Sequence, residues 1–172
     1  MACESFNAVV VRSELNMGIE FNLELAWSQI SLFEANLTDP FNDWNERHLA
    51  QGFTWRPGSV SFRTVERHGD IAVTVDFIGQ LAVDPEAHRA VVVPFTCWGG
   101  VVEISTIAQS ELLEIPAGRY ALLYQVGVSH GQQWVKFGLL EAPFMPVEAV
   151  ILRGDSEVDG RVHLLMEAEP AA

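Results

Sequence analysis

The amino-acid sequence predicts an all-β fold: a single-domain antiparallel β-sandwich over residues 1–172, with one short helix. Three observations lead there. Apolar and polar residues alternate, most clearly in "IEFNLELAW" (19–27), where Ile19, Phe21, Leu23, Leu25 and Trp27 share one face opposite Glu20, Asn22 and Glu24. Short stretches of this kind recur with turn residues between them, as in two sheets packed on a common core. The chain is also 49% hydrophobic and 19% charged over 172 residues, enough for a core without disulfides, since a domain of about 150 residues buries roughly 70% of its unfolded surface.

The elements follow in order. After Trp27, which falls in phase with core residues, the apolar parity switches to Ile30 and Leu32. A bulge or bend near Ser28-Gln29 accounts for the switch, because one extra residue reverses the face presented to the core. Asp39-Pro40 then signals a turn. Asn42 or Asp43 can cap a helix that runs to about Gln51 and stops at Gly52. Two or three turns are too few to stand alone in water, so this helix must pack, with Trp44 and Leu49 as its apolar side. "SVSFRTVE" and "IAVTVDFIG" read as a hairpin through His68-Gly69-Asp70. Val60 and Phe62, then Ile71, Val73, Val75 and Phe77, supply their inner faces. Further strands are expected at 90–96, 101–107, 111–115, 119–127, 133–140, 148–152 and 161–166. Gly99-Gly100 makes one turn, and in "IPAGRY" Pro116 and Gly118 suit the corners of another. The final "EAEPAA" is expected to fray.

Charge is uneven. Residues 1–50 carry eight acids and two bases, 51–140 eight and six, and 141–172 seven and two, for a net −13. Such a surface repels nucleic acid and anionic membranes and draws in basic partners, although acidity also serves solubility alone. There is a single lysine, Lys136, and no basic stripe for DNA or RNA. The start "MACESFNAVVV" lacks the basic region of a secretory signal, and no run of about 18 apolar residues is present. A cytoplasmic protein is the expectation.

Catalytic and ligand motifs are sparse. His48, His68, His88, His130 and His163 lie too far apart for metal-ligand spacing. Cys3 falls in a loose terminus, and Cys97 follows "AVVVPF" as a buried, inert thiol. No G-x-S-x-G, S-x-x-K, G-x-G-x-x-G or phosphate-loop motif occurs. The reading therefore assigns no catalytic residue, no metal and no cofactor. A carboxylate pair acting as acid and base, and a sugar platform built from Trp27, Trp44, Trp55, Trp98 and Trp134, stay open as alternatives, the latter making a small-ligand or carbohydrate-binding sandwich.

One series of short motifs is collinear. It comprises "WSQISLFEA" (27–35), Asp43-Trp44-Asn45, Gly52-Phe53, Ser61-Phe62, Val93-Pro94-Phe95, the strand around Ile104, and "LEIPAGRYALLYQV". In this order and spacing, from about Ile19 to Val126, the chain resembles the competence protein J (ComJ) family, small bacterial inhibitors of the DNA-entry nuclease. The resemblance implies a protein that is not an enzyme and that binds and blocks a DNA nuclease. It identifies no inhibitory residue. Residues 128–172 lie beyond it as a divergent acidic extension, so a different toxin or nuclease is also compatible. A nuclease groove is basic because it binds phosphates, so an acidic protein can occupy it as a polyanion mimic. Asp39, Asp43 and Glu46 beside Trp44 are the candidate contacts with such a basic partner. The competing role for this helix is architectural, closing one end of the sandwich with Trp44 as a plug. Stoichiometry and oligomeric state are not written in the sequence.

Overall fold

A computed structural model describes residues 9–10 and 18–172; Cys3 and the start of the chain lie outside the described residues. The strands are β1 (Val9–Val10), β2 (Ile19–Leu25), β3 (Gln29–Glu34), β4 (Phe53–Arg56), β5 (Ser59–Arg63), β6 (Gly69–Phe77), β7 (Arg89–Cys97), β8 (Val101–Ser105), β9 (Ser110–Glu114), β10 (Gly118–Ser129), β11 (Gln132–Glu141) and β12 (Val150–Arg153). The helix α1 (Glu46–Gln51) lies between β3 and β4. Among the described residues, one sheet has the order β1-β9-β8-β3-β5-β4 and the other β12-β7-β10-β11-β6-β2. Neighbours run antiparallel except β1 with β9 and β6 with β11, which are parallel. No helix among the described residues is long and apolar enough to cross a membrane.

Alternation builds the core. Leu23 and Leu25 of β2, Ile30 and Leu32 of β3, Val60 and Phe62 of β5, and Ile71, Val73 and Val75 of β6 all turn inward and are buried. Phe62 from one sheet stacks on Tyr124 from the other, with ring centroids 4.1 Å apart and planes 9° from parallel. Stacking of this kind adds to the stabilisation from the area that each ring removes from water. Strands β7 and β10 read as nearly continuous apolar runs because both their faces are covered. Val91, Val93, Leu122 and Tyr124 face the main core, while Ala90, Val92, Ala121 and Leu123 form a second cluster under Ile78, Val83 and Val147. His130-Gly131 closes the β10–β11 hairpin with φ of 52° and 75°, the paired positive values that a two-residue turn on right-twisted strands requires.

Several expectations are corrected. Trp27 is 63% exposed, not in the core. Trp27 and Ser28 take φ of 63° and 57°, making a corner that carries the chain from one sheet to the other and swings the indole outward against His68. The parity switch is thus a change of sheet. Strands β5 and β6 are likewise not a hairpin: they belong to opposite sheets, and residues 64–68 cross between them. The crossing is held by Gln133, whose Oε1 accepts from the Val65 and Glu66 amides at 2.9 and 3.0 Å. Strand β5 instead lies between β3 and β4, and its hairpin is with β4, joined through Pro57-Gly58. Residues 161–166 form no strand. Cys97 is buried, and burial pushes its thiol up to about 11, consistent with an inert role.

Candidate partner-binding surface

Helix α1 and the segment before it lie on the outer face of the β3–β5–β4 sheet. Ser31 and Ser61 on that face are buried and share a hydrogen bond of 2.7 Å. The covering segment is fastened to the sheet by polar side chains. Asn42 donates to the carbonyls of Thr54 and Ser59 and accepts from Arg56 Nε at 2.7 Å. Ser59 donates to the Pro40 carbonyl, and Phe41 meets Phe33 edge to face. Trp44 donates its indole N–H to Gln29 at 2.8 Å. Such bonds are needed here because a buried backbone carbonyl without a partner costs about 1–3 kcal/mol.

The helix cap is Asn45, not Asn42 or Asp43. Asn45 Oδ1 accepts from the His48 amide at 3.0 Å, and His48 Nδ1 accepts from the Asn45 amide at 3.2 Å. This is a capping box with histidine in the place usually held by Glu or Gln. Gly52 ends the helix at φ 81°, as expected. The buried side differs from expectation: Leu49 is 45% exposed, and the buried helix residues are His48 and Gln51. A polar buried side requires polar partners, and the far end of the chain supplies them.

From Gly154 to Ala171 the chain runs as a strap over this helix. The expected frayed tail is instead tied down. Asn42 and Pro170 form a β-bridge, the Asp43 amide donates to the Glu169 carbonyl, and the Ala171 amide donates to the Phe41 carbonyl, both at 2.8 Å. Gln51 reads the strap backbone in both directions, donating to the Leu165 carbonyl at 2.9 Å and accepting from its amide at 2.7 Å. His48 Nε2 lies 2.8 Å from the Glu167 carbonyl oxygen. Leu164 and Met166 pack on the main core, and Val158 sits so close to Gly52 that a Cβ there would lie 2.8 Å from it. At its start the strap is held by Arg89, only 2% exposed, which pairs with Asp155 and Glu157 at 2.7 Å each. Burial opposes ionisation of Asp155, but the bonds from Arg89 and the Glu157 and Val158 amides outweigh it and hold the carboxyl below its ordinary value.

Between helix entry and strap lies an open groove of about 560 Å³, with Asp43, Trp44 and His48 on one wall and Leu165, Glu167 and Glu169 on the other. Of the four residues singled out from sequence, Asp43 and Trp44 line this groove. Glu46 is exposed on the first turn of α1 beside it. Asp39 stands on the preceding turn at φ 50°, its carbonyl accepting from Arg56. Burial lowers the Arg56 pKa, and the carboxylates of Asp39 and Glu169 oppose that shift. Glu167 and Glu169 were missed. The signal that could have found them is the alternation in "HLLMEAEP", in which Leu164 and Met166 pack on the core and Leu165, Glu167 and Glu169 line the groove.

Other candidate chemistry is dispersed. Among the described residues no group of three or more His, Cys, Asp or Glu side chains is placed to hold a metal. Asp84, Asp155 and Asp159 are each displaced below the ordinary carboxylate range, Asp84 chiefly by its bond from Lys136. A general acid would need the opposite direction. Three of the five indoles are held through their N–H groups: Trp44 by Gln29, Trp55 by the Pro94 carbonyl and Trp134 by Ser129. Trp98, like Trp27, is largely exposed.

Comparison with known proteins was made on sequence and on structure. A family model described as Competence protein J (ComJ) matches residues 22–144, extending past Val126, where the likeness in short motifs ends. Among solved structures the chain is similar to one described as ComJ, inhibitor of the DNA degrading activity of NucA, from Bacillus subtilis. Identity is 17% and the TM-score 0.62, covering 72% of this chain and 96% of that one. It is also similar to one described as Crocagin biosynthetic gene J, at 15% identity and a TM-score of 0.48, over 75% of this chain and 98% of that one. No curated protein matches it.

Proposed function

The chain belongs to the competence protein J family, and from that premise we propose that it is an inhibitor that binds a DNA-degrading nuclease and occupies its nucleic-acid groove. The observation that carries this reading is the family match over residues 22–144, together with a shared fold with the Bacillus subtilis inhibitor of NucA. The protein turns nothing over; it acts by stoichiometric binding in the cytoplasm.

Physical chemistry supplies the mode of action. A nuclease must present cationic side chains to DNA, and this chain carries a net charge of −13. Opposite charge steers the two surfaces together and raises the association rate by roughly 10- to 1,000-fold at low salt. Lasting affinity needs anchors in addition. We place them at the groove, where Asp43 and Trp44 line the helix side and Glu167 and Glu169 the strap side, with Glu46 on the adjoining helix turn and Asp39 on the turn before. An arginine or lysine from the nuclease would be flanked there by carboxylates and meet the indole, a contact worth about 0.5–2 kcal/mol.

The test is titration of the purified protein into the NucA-type nuclease of the same organism, reading DNA cleavage. Cleavage should be abolished near equimolar ratio, with weaker inhibition at high salt. Undiminished cleavage at low salt with the protein in excess would rule that nuclease out.

A further inference from the structure

We propose that His48 is a clasp that holds the C-terminal strap and is, through its other ring nitrogen, a protonation-sensitive cap of α1. Its two ring nitrogens are both engaged, and each partner dictates a role. The Asn45 amide can only donate, so Nδ1, at 3.2 Å, must be an unprotonated acceptor. The Glu167 carbonyl can only accept, so Nε2, at 2.8 Å, must carry the hydrogen. The clasp therefore requires the neutral Nε2–H ring. A proton on Nδ1 would set two donors against each other at a side chain only 3% exposed. The conflict falls on the Asn45 amide, whose bond to Nδ1 is lost, while Nε2–H still donates to the Glu167 carbonyl. The strap keeps this bond and its two bonds to Gln51, so the cap at the start of α1 is the part that opens.

The surroundings bear on the outcome. Asp43 precedes the helix, Glu46 and Arg47 share it, Glu167 and Glu169 come from the strap, and the Trp44 ring lies edge-on at 6.5 Å. The four carboxylates welcome a cation, but they are exposed and screened by water. The two ring bonds are local and close. Acid thus converts a neutral tie into an imidazolium that keeps its bond to the strap and its attraction for the groove's carboxylates while losing its bond from the cap amide.

Amide hydrogen exchange of the full chain at about pH 7.5 and about pH 5, expressed as protection factors, reads the clasp across the imidazole range. The reporters are the Asn45 amide, bonded to Nδ1, and the His48 and Leu49 amides of the first turn that this cap fixes. In the wild type their protection should fall several-fold at the lower pH, up to the roughly tenfold that one net hydrogen bond carries. The control is His48→Gln, because glutamine at this capping position accepts through its oxygen, donates through its nitrogen and does not titrate. In it the acid effect should vanish. An equal loosening in both proteins, or none in the wild type, overturns the proposal. A second reading does not depend on the variant: the wild-type imidazole nitrogen shifts should report the Nε2–H form at about pH 7.5, and the Nδ1–H form would overturn it. No nuclease enters either measurement, so the outcome is independent of the inhibitor reading.

Discussion

Trp44 donates its indole N–H to Gln29 at 2.8 Å and leaves part of its ring in the groove, so its truncation tests two roles together. Trp44→Ala should lower stability by about 1–3 kcal/mol, from the orphaned Gln29 and lost packing. It should also weaken nuclease binding beyond that loss. Thermal melting beside calorimetric binding separates the two, and intact binding at normal stoichiometry would remove Trp44 as an anchor. The neighbouring acids behave differently. Asp43 and Glu46 are exposed, so Asp43→Asn with Glu46→Gln should leave the melting temperature nearly unchanged while slowing association. The slowing should be largest at low salt, where steering is strongest. Stopped-flow association over a salt series checks this; an unchanged rate would place the encounter surface elsewhere.

At the scale of elements, the strap is the part whose importance is easiest to underrate. Its first anchor is the Arg89 pair with Asp155 and Glu157. The Asp155 carboxyl is held below its ordinary value, so the stability it contributes is present above about pH 4. That contribution is lost as the pH falls through the depressed value. Asp155→Asn should cost about 2 kcal/mol near neutral pH and flatten the acid side of the stability profile. Denaturant unfolding at about pH 7 and about pH 3 reads both effects. Much of this architecture was legible in sequence: alternation marked β2, β6 and β11, and Gly52 marked the end of α1. What alternation cannot give is the sheet to which a strand belongs. A half-buried strand looks the same whether the next turn folds it back or carries it across the core, which is why β5 and β6 read as a hairpin and Trp27 as core. The polar underside of α1 was hidden for a related reason. His48 and Gln51 are buried because the strap, over a hundred residues away in the chain, brings carbonyls to meet them. The same long-range pairing concealed Glu167 and Glu169.

At the scale of the molecule, the charge pattern acquires a geometry. The acidic first 50 residues and the acidic last 32 are distant in sequence, while the nearly balanced middle supplies most of the core strands. The Asn42–Pro170 bridge and the Asp43–Glu169 hydrogen bond bring part of each, Asp43 from the first and Glu167 and Glu169 from the last, onto one face. An anionic groove between them is the surface we assign to a DNA-binding partner. On this assignment, protein and DNA should compete for the same nuclease surface. The direct measurement is displacement of labelled DNA from a catalytically inactive NucA-type nuclease, followed by fluorescence anisotropy as this protein is added. The account predicts complete release of DNA near equimolar protein, reversed by excess DNA. A stable ternary complex of nuclease, DNA and this protein would contradict it.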